Sequence, residues 1–236
     1  MVARGDMGVE IPMEQVPVVQ KHFIKRCNEV GKPVITATQM LESMTSNPRP
    51  TRAEVSDVAN AVYDRTSCIM LSGECAMGKY PVVCVDTMVK ISNSIQDSIK
   101  YWKRFDKKNH IIDPKDIEAN IAYTTCVTAK NIEADAIVAY THTGDSVRRI
   151  AGMGPACPIF AVTDNESTYY QLSVAFGVTP ILIQGKDSIE LTIEAGLDEL
   201  KAKGIIETGD TVVLAGGSKI LPHLSVNKVI GGVAKI

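Results

Sequence analysis

In the first part of the chain the apolar positions come in short unbroken runs. "MVA", "PVITA" and "CIML" are each followed at once by polar residues, Arg4-Gly5-Asp6, Thr38-Gln39 and Ser72-Gly73-Glu74. Runs without alternation mark strands buried on both faces, as in a parallel sheet covered by helices. Their ends lie about 33 residues apart, room for a strand, a loop and a crossover helix. Between them the period becomes helical. Residues 14–30 carry Val18, Val19, Phe23, Ile24 and Cys27 at near-helical spacing, with Gly31 placed as the stop. Thr51-Arg52-Ala53-Glu54 has the form of a capping box and opens a helix expected to reach Asp64. Pro81 suits the first turn of a third helix, expected to run to Trp102.

From "KRFDKKNHIIDPKD" onward the pattern turns polar, which sets a linker at 103–115 between a domain at 1–102 and one at 103–236. A helix is expected over 117–131. The apolar runs "AIVAY", "PIFAV", "TPILI" and "TVVLA", spaced by helical segments, and a closing "NKVIGGVAK" then predict an α/β domain of about five strands. The first domain is α/β as well, with three strand–helix units and right-handed crossovers. Three strands cannot close a barrel, which takes about eight, and "MVA" reads as the last turn of a strand. The expectation is a piece of a longer chain. Polar residues just past parallel strands lie where barrels and doubly wound sheets place ligands.

Composition changes this picture little. The 236 residues are 45% hydrophobic and 22% charged, with a net charge of −2. So near-neutral a balance predicts neither nucleic acid nor an anionic membrane as partner. No apolar run reaches the roughly 18–20 residues that cross a bilayer, and no basic-then-apolar leader is visible. Six cysteines are scattered without a C-x-x-C pair, several inside apolar runs. They are expected to be buried, reduced thiols of a cytoplasmic protein.

"MVARGDMGVEIP", "GKPVITATQMLESMTSNPRPTRAEVSDVANAVYD" and "CIMLSGECAMGKYPV" together closely resemble pyruvate kinase, almost without gaps to about Ile99 and more loosely beyond. The resemblance implies the last three βα units of a TIM (β/α)₈ barrel, from the end of strand six to helix eight, followed by a separate three-layer α/β C-terminal domain. It also implies that the earlier strands, an inserted lid domain, a Glu metal ligand, a phosphate-contacting Lys and a K⁺ site lie upstream of Met1. The implied activity of the whole is transfer of a phosphoryl group from phosphoenolpyruvate to ADP, in a homotetramer. Two other readings stand beside it: a non-catalytic module that senses a metabolite or pairs with full-length subunits, and a different barrel enzyme acting on phosphoenolpyruvate or pyruvate. "TATQMLESM" and "PTRAEVSDVANAV" argue against the last.

Individual residues carry two readings each. Asp6 by itself reads as a helix cap or as a carboxylate for a divalent cation that keeps most of its sites for water and substrate. The resemblance makes it a ligand to catalytic Mg²⁺ or Mn²⁺. It also lays the backbone of Ala3, Gly5 and Asp6 against the substrate carboxylate, with Arg4 ordering the loop. Thr38 alone is a β-branched strand end. The resemblance places its hydroxyl at the substrate carboxylate and near the carbon to be protonated, with Ser72 in the polar network behind. Glu74 is expected to be structural. Arg49 and Arg52 are bare charges beside a helix start, where a partner anion is plausible, and the resemblance puts Arg52 at a subunit interface.

Past "AIVAY", Thr141-His142-Thr143-Gly144-Asp145-Ser146 sets hydroxyls and a glycine before a helix, a pattern that suits an anion or a plain N-cap. In many members of the family that this chain resembles, the matching loop holds the phosphate of a sugar-phosphate activator, and the resemblance points to Thr141, Thr143, Gly144 and Ser146 for that role here. Asp145 departs from that pattern, because a carboxylate repels a phosphate. In the later stretch "GGSKILPHLSVN" the positive charge is Lys219.

Overall fold

A computed structural model describes residues 1–108, 112–217 and 229–235, and Lys219 lies outside the described residues. The chain forms two compact units, Met1–Ile99 and Lys100–Ile236.

In the first unit β1 (Val2–Ala3) leads directly into α1 (Arg4–Glu10), followed by α2 (Val16–Glu29), β2 (Ile35–Ala37), α3 (Arg52–Tyr63), β3 (Cys68–Met70), the single turn α4 (Gly73–Ala76) and α5 (Pro81–Ser98). The strands pair in parallel in the order β1-β2-β3, with Val2 opposite Thr36 and Ile35 opposite Cys68. α2 ends as its glycine predicts. Gly31 takes φ 66°, the amide of Lys32 reaches the Cys27 carbonyl at 2.8 Å, and that of Gly31 reaches Asn28 at 3.4 Å. This double closure needs a left-handed residue, which glycine adopts without strain. Val2, Ile24 and Val34 form a small core where α2 meets the sheet. Ile24 is 0% exposed, a burial worth about 1.5–3 kcal/mol. A second cluster of Met40, Leu41, Met44, Val58, Ala61, Cys84 and Met88 joins the segment after β2 to α3 and α5.

Two local expectations differ from the structure. Asp6, read by itself as a helix cap, instead lies inside the first turn of α1, whose N-cap is Ala3. The third helix stops at Ser98 instead of reaching Trp102. The Ser98 hydroxyl donates back to the Ile95 carbonyl at 2.7 Å, and Ile99 is extended with ψ 122°. Such back-bonding competes with helix continuation.

The second unit begins with α6 (Tyr101–Lys107) and α7 (Ile117–Asn131). It continues through β4 (Ala136–Tyr140), α8 (Asp145–Met153), β5 (Ile159–Thr163), α9 (Glu166–Leu172), β6 (Val178–Leu182), α10 (Ile189–Ala202), β7 (Thr211–Gly217) and β8 (Val229–Lys235). Trp102 and Phe105 of α6 pack edge-on at 5.8 Å and Phe105 stacks on Tyr123 at 5.7 Å, so Phe105 of the polar-looking stretch joins this unit's core, with Trp102 and Tyr123 packed against it. The five strands run in the order β6-β5-β4-β7-β8, parallel except for β8, which is antiparallel to β7. Alternation along β4 sends Ile137 and Ala139 to a core shared with α6, α7, α8 and α9, and Ala136 and Val138 to one shared with α10. The result is three layers. A Cβ at Gly196 of α10 would stand 2.4 Å from a Val162 methyl, so glycine there permits close helix–sheet packing.

Candidate functional site

The first group of candidate residues gathers at the carboxyl ends of β1, β2 and β3. Gly5, in the first turn of α1, donates its amide to Thr38 Oγ1 at 3.2 Å. This bond joins the end of β1 to the end of β2. Thr38 and Gln39 both have left-handed backbones, with φ of 72° and 52°. For a β-branched residue that conformation is strained and persists only where the surroundings enforce it. Arg4 enforces it. Its Nε and Nη2 donate to the Thr38 carbonyl at 3.1 and 2.6 Å, Nη2 also reaches the Gln39 carbonyl at 2.9 Å, and Nη1 pairs with Asp57 Oδ2 at 2.5 Å. The side chain is only 10% exposed. The ordering role expected for Arg4 is thus carried by its planar five-donor fork.

Asp6 is exposed, and no hydrogen bond or ion pair engages its carboxylate among the described residues. It is a hard oxygen donor of the kind Mg²⁺ and Mn²⁺ take, and it fits one corner of such a site. No group of three or more potential ligand side chains that could hold a metal occurs among the described residues. Ala3 is the N-cap of α1 and Ser72 that of α4, neither with a side-chain cap bond, so the Ser72 hydroxyl is not spent on the helix. Glu74 is 0% exposed and structural. Its carboxylate accepts from the Leu41 amide at 3.0 Å and from the Ser72 amide at 2.8 Å, tying the segment after β2 to the one after β3.

The capping box forms as predicted at the head of α3. Glu54 goes further and accepts from the Ser43 amide at 2.7 Å and hydroxyl at 2.6 Å. Burial pushes its carboxyl up, but the hydrogen bonds from Ser43 and Thr51 outweigh this and hold it below its ordinary value. Arg49 and Arg52 are exposed and join no ion pair among the described residues. Asp57, which sequence reading missed, faces Arg4 one helical turn from Glu54; no local pattern reveals a partner 53 residues away.

All six cysteines are free, but only Cys84 and Cys126 are fully buried. The other four are half-buried, and burial pushes the Cys157 thiol up to about 11.

The second group lies in the second unit. A cavity of about 570 Å³ is lined by residues past β4, including Thr141, Thr143 and Ser146, together with Asp164 past β5, Lys186 past β6 and Gly216 of β7. The strand order reverses between β4 and β7, and such a switch point at the carboxyl ends is where open parallel sheets bind ligands. Gly144 is left-handed at φ 84° and caps α8. Its amide donates to Thr141 Oγ1 at 2.9 Å. Asp145 Oδ2 accepts from the Thr143 hydroxyl at 3.0 Å and Oδ1 from Arg148 Nη2 at 2.6 Å. The Arg148 bond leads, and with Thr143 and the charges of Arg148 and Arg149 it outweighs burial and holds the Asp145 carboxyl below its usual range. His142 stays 56% exposed and pairs through Nδ1 with Asp164 at 2.7 Å.

Both units of the chain have counterparts in known proteins. Residues 1–85 match the family model described as the pyruvate kinase barrel domain, and 119–229 that of the pyruvate kinase alpha/beta domain. A pyruvate kinase of Clostridium acetobutylicum is 47% identical over 92% of this chain, which covers 46% of that protein. One of Bacillus licheniformis is 45% identical over 92% of this chain, covering 37% of it. The crystal structure of a Cryptosporidium parvum pyruvate kinase, 36% identical, superposes over 97% of this chain and 46% of its own with a TM-score of 0.86. The chain therefore spans half or less of the length of these relatives. Two domain models of one family, matched in order on the two sides of the chain, and relatives at this identity leave one assignment: the chain belongs to the pyruvate kinase family, a family of phosphotransferases.

Proposed function

We propose that the complete protein transfers the phosphoryl group of phosphoenolpyruvate to ADP and protonates the resulting enolate to give pyruvate and ATP. Asp6 would hold Mg²⁺ or Mn²⁺, which supplies charge neutralisation for the transferring group. The amides around Ala3, Gly5 and Asp6, with the Thr38 hydroxyl, would hold the substrate carboxylate. Thr38 and Ser72 would order the proton donor side of the enolate. The K⁺ of the complete protein would bind outside this chain. The whole is read as a cytoplasmic homotetramer with Arg52 at a subunit interface. In this reading it acts on small molecules, not on nucleic acid or a membrane.

The observation that carries this reading is the Gly5–Thr38 hydrogen bond beside an unengaged Asp6. It ties the two strand ends together and leaves the Thr38 hydroxyl proton free to donate to an incoming carboxylate, which supports the reading. The 236-residue chain alone is inactive in this reading, because one carboxylate retains Mg²⁺ weakly and charge stabilisation needs a closed pocket. The test is ADP-dependent pyruvate formation by the complete gene product. Thr38→Ala should lower kcat by about a hundredfold or more, and Asp6→Asn should shift the metal titration to higher concentration. Turnover by the 236-residue chain above a mock preparation would overturn its inactivity.

The cavity of the second unit supports a regulatory site in the same protein, where Thr141, Thr143, Gly144 and Ser146 seat the phosphate of a sugar-phosphate effector. Because its described lining lies wholly within the second unit, it also favours a second reading, a metabolite-sensing module without catalysis. Effector binding by the 236-residue chain together with an inactive complete gene product would select that reading.

A further inference from the structure

The loop that would seat the effector already holds an anion of its own. Thr143 gives its hydroxyl proton to Asp145 Oδ2 at 3.0 Å. Arg148 Nη2 bridges Asp145 Oδ1 at 2.6 Å and the Thr143 carbonyl at 3.1 Å. A hydroxyl at the mouth of the loop and the cation behind it are therefore both engaged by one carboxylate. A second observation points to an acceptor group arriving from outside the chain. Thr141 is 5% exposed and lines the cavity. Its oxygen accepts from the Gly144 amide, and no acceptor among the described residues takes its proton. A buried donor left unspent at a cavity wall is costly unless a ligand or water accepts from it.

We propose that Asp145 is an intramolecular competitor for the effector's phosphate: its carboxylate holds the Thr143 hydroxyl that the phosphate would use, and an oxyanion enters only by displacing it. This rests on the effector reading above and adds to it the residue that sets the affinity. The remaining wall reinforces the effect. Asp164 and Asp187 line the same cavity, against Lys186 as the one Lys or Arg among the described lining residues. Like charges at this range oppose a dianion, and charge-assisted hydrogen bonds to Asp145 must be given up before new ones form. Asparagine at 145 keeps an acceptor for Thr143 and Arg148 and removes the charge, so the loop retains its shape while the repulsion goes.

Inorganic phosphate is the probe, titrated calorimetrically into the 236-residue chain and its variants. Asp145→Asn is expected to bind at least about tenfold more tightly than the unmodified chain, about 1.4 kcal/mol. Thr141→Val should abolish binding in either background. Asp145→Ser, well suited to a helix N-terminus, replaces the Asn variant if that one loses its circular dichroism. Equal affinity in the unmodified and Asp145-substituted chains would overturn the competition and leave the phosphate reading standing. Absence of phosphate binding in every folded variant would overturn both.

Discussion

Arg4 joins more of the candidate site than any residue expected to bind substrate. Its guanidinium meets two carbonyls of a strained turn and the carboxylate of Asp57, and the strain at Thr38 and Gln39 is held by those bonds. Arg4→Ala should destabilise the first unit by about 2 kcal/mol or more, since it leaves carbonyls and a carboxylate unpaired. Urea unfolding followed by circular dichroism measures this, and faster exchange of the Gly5 amide should accompany it. Glu54 makes a pH prediction. Its folded carboxyl lies below the ordinary 4.5. The stabilisation is therefore present above that value and is lost as pH falls through the folded value. The melting temperature of the chain should drop between about pH 6 and pH 3 by more than that of Glu54→Gln. Asp6 and Thr38 are legible as candidates because their residue types stand at strand ends. The Arg4–Asp57 pair is not, because sequence neighbours say nothing about a contact made across two elements.

Among the elements, those built from local signals match expectation closely. α2 stops at Gly31, α3 starts at its Thr51–Glu54 box, and α7 covers Ile117–Asn131 as its pattern predicts. Caps and periodicity act within a few residues, so one stretch of sequence contains the whole cause. The end of α5 is hidden because apolar spacing carries on past Ser98 through Tyr101 and Trp102, two residues at the head of α6, which belongs to the other unit. Glu74 shows an element-level effect that patterning conceals. One side chain receives amides from the segments after β2 and β3, so Glu74→Ala should cost about 1–3 kcal/mol by leaving one buried and one part-buried donor unpaired. Thermal unfolding checks the stability, and loosening of the Ser72 amide in hydrogen exchange checks the position.

For the molecule as a whole, the division into two units and the strand order decide what the sites are. The three-stranded sheet pairs β1 and β3 on one side only, which leaves open parallel edges among the described residues. Such edges recruit further strands, so the 236-residue chain should self-associate, with a weight-average sedimentation coefficient that rises with concentration. A single monomeric boundary across a roughly hundredfold range of concentration would contradict this. The order of the five-stranded sheet is a tertiary result of another kind. Apolar runs identify its strands, but β8 lying antiparallel beside β7, and the reversal that opens the cavity between β4 and β7, follow from pairing between distant segments.

Sequence alone settled the α/β class, the stop of α2, the start of α3, the extent of α7 and the residues with chemistry to offer, because propensity, capping and burial period act over one or two turns. Tertiary structure alone decided that Arg4 restrains a strained Thr38 and that Glu74 bridges two strand ends. Those outcomes depend on which distant groups share a few ångströms of space, and chain order does not encode that directly.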